Sequence, residues 1–107
     1  MSRLADTLER LAATIAARKG ADPATSYTAQ LLADRQRAAK KLGEEAVEAA
    51  LAAVSGDPDA LAAESADLIY HWLVLLAACA VDLDAVATKL EAREGRSGLE
   101  EKASRGR

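Results

Sequence analysis

Two acidic clusters carry the chemistry that this chain could perform. The first is Glu44-Glu45-x-x-Glu48 and the second is Glu64-x-x-Asp67. Both fall in segments with helical spacing, and side chains three apart on a helix project from nearly one face. Glu45 is then a neighbour of Glu48, and Glu64 of Asp67. Like charges at close range raise one another's pKa or demand a bound cation. Between Lys41 and Lys89 there are nine acidic residues and no Lys or Arg, so this segment holds no side-chain counter-charge of its own. Hard oxygen donors at such density suit Mg²⁺, and also Mn²⁺. Zn²⁺ suits less, because the chain has one His and one Cys. Ala/Glu-rich helices also produce E-E-x-x-E as a plain solvated face, so the elements that position the clusters must decide between the two readings.

Ser55-Gly56-Asp57-Pro58 breaks the chain between the clusters. Gly56 suits a helix C-terminus, and Asp57 with Pro58 suits the cap and first position of the next helix. The spacing predicts one long helix from about Arg35 to Val54, with an apolar stripe of Val47, Ala50, Leu51 and Val54, and another from Pro58 to about Cys79. Glu48 and Glu64 each lie six residues from the break, or about 9 Å along their helices. Glu45 and Asp67 lie nine residues out, at about 13–14 Å. An antiparallel hairpin therefore sets Glu48 opposite Glu64 and Glu45 opposite Asp67, and four carboxylates meet. Glu64 also sits on the stripe Leu61, Leu68, Trp72, Leu75, where a carboxylate is costly unless paired or ligating.

Three more helices complete the expected fold. Ser2 caps a first one, with Leu4, Leu8, Leu11 and Ile15 at helical spacing. Gly20 and Pro23 mark a loop, and Ser26-Tyr27-Thr28 opens a short helix reaching about Asp34. Asp82 caps a last helix from Leu83 to Arg93, ending near Gly95. From Leu68 onward the long second hairpin helix is apolar nearly all round, which makes it the central one. Tyr70 and Trp72 read as core residues of that helix, and His71, one turn beyond Asp67, either orients a ligand or is a satisfied core residue. No strand signal is present. The expectation is an all-α bundle of four to five helices around a central helical hairpin, in a single domain covering 1–107.

At 107 residues, half of them apolar but with 27 alanines and no Phe, the core buries little area per residue. A second, identical chain, in a homodimer or a larger homo-oligomer, is expected to complete it. A net charge of −3 argues against duplex nucleic acid as partner. Cys79 stands alone, so no internal disulfide forms. The N-terminus has acidic residues among its apolar ones, unlike a signal peptide. The longest uncharged stretch, Leu68 to Val81, is 14 residues, short for a membrane span. A cytoplasmic protein without a membrane partner is expected. Basic residues flank the acidic zone: Arg35, Arg37, Lys40 and Lys41 before it, Arg93, Arg96, Lys102 and Arg105 after it. Carboxylates that hold a metal, with Lys and Arg nearby, form an arrangement suited to a polyphosphate. No nucleophilic triad and no glycine-rich phosphate loop is present.

The order E-E-x-x-E, helical turn, E-x-x-D resembles the all-α nucleoside triphosphate pyrophosphohydrolase superfamily, the MazG-like fold. Within it the chain is similar to the phosphoribosyl-ATP pyrophosphohydrolase family. The likeness rests on Ser26-Tyr27-Thr28-Ala29 with Leu31-Leu32, on Lys40-Lys41-Leu42-Gly43-Glu44-Glu45-Ala46, on Glu64-Ser65-Ala66-Asp67-Leu68-Ile69-Tyr70-His71, and on Gly95-Arg96-Ser97-Gly98-Leu99-Glu100-Glu101-Lys102. It runs in order along nearly the whole chain. The resemblance implies Mg²⁺-dependent cleavage of phosphoribosyl-ATP between its α and β phosphates, giving phosphoribosyl-AMP and pyrophosphate, the second step of histidine biosynthesis. It implies a Mg²⁺ site built from these carboxylates; the roles expected here are that Glu45, Glu48, Glu64 and Asp67 hold the metal, and that Glu44 ligates a second ion or takes a proton from the attacking water. Lys41, Arg96 and Lys102 would grip phosphate, and Ser26, Tyr27 and Thr28 would line the nucleotide pocket. Two other readings differ in their consequences. A house-cleaning enzyme of the same fold would hydrolyse non-canonical dNTPs, and a non-enzymatic helical assembly module would carry acidic clusters that merely solvate a hairpin.

Overall fold

A computed structural model describes residues 2–95, together with residues 98, 102 and 103. Among the described residues the named elements are five helices and no strands: α1 (Arg3–Ala17), α2 (Tyr27–Leu32), α3 (Arg35–Ser55), α4 (Pro58–Ala78) and α5 (Leu83–Glu91). Each begins on a short polar side chain that accepts from a free amide of the first turn. Ser2 accepts from Ala5, Ser26 from Ala29, Asp34 from Arg37, Asp57 from Asp59 and Ala60, and Asp82 from Ala85. These caps satisfy backbone donors that have no partner inside the helix. The predicted starts therefore coincide with the observed ones, and α2, α4 and α5 end a turn or less earlier than expected.

The central hairpin is α3 and α4, each of 21 residues. Gly56 makes the turn at φ 80°, a left-handed conformation that costs glycine little. Pro58 opens α4 at a position where its missing N–H is no loss. Helix α4 packs against α3, α1 and α2, as the central helix must. It is long and apolar enough by composition to cross a bilayer. The carboxylates of Glu64 and Asp67 and its contacts with three other helices suit the middle of a bundle instead.

The core cluster is Ile15, Leu31, Ala38, Leu73 and Val74, flanked by Leu8, Leu11, Ile69, Tyr70, Trp72 and Leu83. Leu31 and Val74 are fully buried, each stabilising the fold by about 1.5–3 kcal/mol relative to exposure. This core lies where α1 and α2 cross the C-terminal half of α4. The apolar stripe expected on α3 to face the bundle behaves otherwise: Val47, Ala50, Leu51 and Val54 are exposed, Val54 to 81%. The face of α3 turned inward carries Ala38, Glu45 and Ala49 instead. Small residues let the two long helices approach closely, and they leave the larger aliphatic side chains outside. Leu4, on the expected stripe of α1, is exposed as well.

Candidate active site

Oxygens of Glu45, Glu48 and Glu64 lie within 4.8 Å of one another across the α3–α4 hairpin. The level-matching of the two helices thus delivers three of the four expected carboxylates to one point. Glu45 is buried, Glu64 half-buried and Glu48 exposed, so the cluster opens to solvent on one side. Asp67 stands outside the trio and is exposed. Three residues advance a helix by about 300°, which turns Asp67 roughly 60° away from Glu64. Its charge still reaches Glu64. That carboxyl is held above the ordinary glutamate range, first by burial and then by the charges of Glu48, Asp67 and Glu45.

Lys41 is the cation that approaches the cluster. Its Nζ is 3.2 Å from Glu44 and 3.8 Å from Glu45. The ammonium is pushed above its ordinary value, most by the hydrogen bond to Glu44, then by the neighbouring Tyr27 phenol, with the Glu44 and Glu45 charges adding less. Lys41, Glu44, Glu45, Val47 and Glu48 line an open cleft of about 480 Å³. An apolar cavity of about 360 Å³ between α1, α4 and the start of α5 lies away from this chemistry and is lined largely by alanine and leucine.

The segment Ser26-Tyr27-Thr28 reaches the same neighbourhood, but its hydroxyls serve the fold. Ser26 caps α2, accepting from Ala29 N at 3.1 Å. Thr28 is hydrogen-bonded to the Tyr70 hydroxyl, tying α2 to α4. Tyr27 is the one of the three that presents an exposed side chain. Its ring meets His71 edge-on, with centroids 6.3 Å apart, and the Arg37 guanidinium lies 5.9 Å from its centroid, within cation–π range. His71 is buried, and its Nδ1 lies 2.9 Å from the Asp67 carbonyl. A carbonyl can only accept, so Nδ1 carries the hydrogen. Nε2 is buried and has no hydrogen-bond partner among the described residues. Tyr70, expected to be a core residue, thus has a specific polar role, and Gln30 and Arg37 join the site through Tyr27. Arg37, read in the sequence only as one of the flanking basic residues, stands four residues before Lys41 and eight before Glu45, on one face of α3. Arg96 lies outside the described residues. Lys102 is exposed and forms no ion pair with the described residues.

The donor set fits a hard divalent cation. Three carboxylates supply oxygen, and Lys41 alone offsets their charge among the described residues. A sequence model of the family described as phosphoribosyl-ATP pyrophosphohydrolase matches residues 8–94. This chain belongs to that family. Three relatives named phosphoribosyl-ATP pyrophosphatase show how close the likeness is. One from Caulobacter vibrioides is 72% identical over 103 residues, which cover 96% of each chain. One from Parvibaculum lavamentivorans is 61% identical over 107 residues, covering 99% of this chain and 98% of the relative. A third, from Caulobacter sp., is 70% identical over 98% of both. The family match spans α2, the hairpin and α5, so every element that brings a residue to the cluster lies within it.

Proposed function

We propose that this chain cleaves phosphoribosyl-ATP to phosphoribosyl-AMP and pyrophosphate at the α3–α4 carboxylate cluster, in a reaction that needs Mg²⁺. The observation that carries the site is the convergence of Glu45, Glu48 and Glu64 within 4.8 Å beside Lys41. Those three carboxylates would hold the ion, with Asp67 adding charge at the rim. Mn²⁺ would serve in place of Mg²⁺. When bound, the ion polarises the phosphoryl group and draws the triphosphate into the acidic cleft.

The chain's own residues do the rest. Lys41, kept protonated by its neighbours, donates to phosphate oxygens and exchanges its carboxylate contacts for them. Glu44 is exposed and next to Lys41, and it accepts the proton as water attacks. The new bond is from water oxygen to phosphorus, and the α–β anhydride bond breaks as pyrophosphate leaves. Tyr27 offers its ring to the nucleotide. Lys102 and Arg96, from the C-terminal tail, add phosphate contacts in this reading.

A second copy of the chain supports the site from outside. Val47, Leu51 and Val54 present an exposed aliphatic row beside the cluster, and a homodimer that covers it supplies the burial that an alanine-rich monomer lacks. A cytoplasmic setting goes with this reaction. The test is pyrophosphate release from phosphoribosyl-ATP with and without Mg²⁺, alongside a panel of dNTPs. Fast Mg²⁺-dependent release from phosphoribosyl-ATP is the expected result. Release from dNTPs alone would move the protein to the house-cleaning reading, and no release from any of them would leave the assembly-module reading.

A further inference from the structure

A substrate built from ATP and a phosphoribosyl group has phosphate at both ends, with the base and two riboses between them. The carboxylate cluster and Lys41 account for the triphosphate end only. A site that prefers this molecule to ATP needs a second anion receptor, set back from the metal by the length of a base flanked by two sugars.

Helix α3 presents such a receptor. Arg37, Lys41, Glu45 and Glu48 follow one another at spacings of four, four and three residues, so they form one stripe with two cations at one end and two carboxylates at the other. Arg37 stands about 12 Å along the axis from Glu45 and about 16 Å from Glu48. The Arg37 guanidinium lies 5.9 Å from the centroid of the exposed Tyr27 ring, and the same ring meets His71 of α4 at 6.3 Å. Lys41 meets Glu45. An exposed aromatic ring therefore joins the Arg37 end of the stripe to α4, the helix that supplies Glu64 to the acidic trio.

Arg37 is also held in place rather than free to wander. One guanidinium nitrogen donates to Gln30 Oε1 at 3.3 Å. The Gln30 amide nitrogen in turn donates to the Pro23 carbonyl at 2.8 Å, which fixes the amide the right way round to accept from Arg37. No carboxylate neutralises Arg37 among the described residues, where the ion pairs are those of Lys41. Asp34, three residues before it, caps α3 by accepting from the Arg37 backbone amide at 3.1 Å. The guanidinium thus keeps its charge and most of its donors for a ligand, and its planar fork matches a phosphate.

We infer that Arg37 is a specificity residue of this enzyme, which receives the phosphate of the phosphoribosyl group while Gln30 and Tyr27 hold the guanidinium in position. This rests on the reaction proposed above. The test compares wild type with Arg37→Ala, Arg37→Gln and Arg37→Lys at saturating Mg²⁺, measuring kcat and KM for phosphoribosyl-ATP and the inhibition constant of ATP, which lacks the second phosphate. In the Ala and Gln variants KM should rise about 10- to 100-fold, the range for losing a charge-assisted contact. The change in kcat and in ATP inhibition should be no more than a few-fold. The Lys variant should recover part of the loss, since it restores the charge without the fork. An unchanged KM overturns the assignment. So does an equal weakening of phosphoribosyl-ATP and ATP, which would mean that Arg37 serves a part common to both. Having both Ala and Gln variants, with melting temperatures measured for each, separates loss of contact from loss of fold. A wild-type enzyme that does not turn over phosphoribosyl-ATP overturns the reaction itself, and the role of Arg37 with it.

Discussion

Glu48→Gln gives the sharpest test of the metal site, because it should move two quantities in opposite directions. In the metal-free protein three carboxylates meet within 4.8 Å, and removing one charge relieves repulsion, so the melting temperature should rise by a few degrees. Added Mg²⁺ should then do little. For wild type at tenfold excess of Mg²⁺ over its dissociation constant, binding stabilises the fold by RT ln 11, about 1.4 kcal/mol. For a domain of this size that is roughly 6–11 °C. Loss of one of three ligands should weaken binding at least as much as loss of an outer-shell partner does, about 100-fold at the upper end. The same Mg²⁺ concentration is then a tenth of the new constant and stabilises by less than about 0.1 kcal/mol, a shift under ~1 °C. Differential scanning fluorimetry of both proteins across a Mg²⁺ titration, with Ca²⁺-free buffer and an EDTA control, reads both effects. A variant that is less stable without metal, or one that keeps the wild-type response to Mg²⁺, would refute the convergent-carboxylate reasoning.

Four other outcomes follow from particular residues. Glu64 has a raised pKa in the fold, so the folded state binds more protons than the unfolded one between the ordinary glutamate value and the raised one. Metal-free stability should therefore fall as pH rises through that window, and Mg²⁺ affinity should fall as pH drops through it; Glu64→Gln should remove both trends in a pH series of melting curves. Ala80 ends α4 at φ 58°, with Val81 N bonded back to the Leu76 carbonyl at 2.9 Å; Ala80→Gly should stabilise by about 1 kcal/mol in urea unfolding, since glycine adopts this cap without strain. Tyr70→Phe removes the link to Thr28 and should cost about 1 kcal/mol of stability, with KM for the nucleotide rising more than kcat falls. Leu51→Glu, in the exposed row of α3, should shift sedimentation from dimer toward monomer, whereas an unchanged sedimentation coefficient would place the interface elsewhere.

Much of this protein is determined by local rules that a sequence carries openly. Ser2, Ser26, Asp34, Asp57 and Asp82 begin the five helices because a short polar side chain can close a free first turn wherever it occurs. Gly56 and Pro58 fix the hairpin turn, and helical rise alone brings Glu48 level with Glu64. Tertiary structure decided what rotation about each axis does. The close approach of α3 and α4 through Ala38 and Ala49 turned Glu45 inward, drew it into the trio, and left Asp67 on the rim. It also put Val47, Leu51 and Val54 outside, since apolar spacing gives the width of a stripe but not which neighbour it meets. The links Thr28–Tyr70 and Gln30–Arg37–Tyr27 join residues from different helices. Such contacts depend on how helices cross, which is set by packing at long range and leaves no local pattern to read.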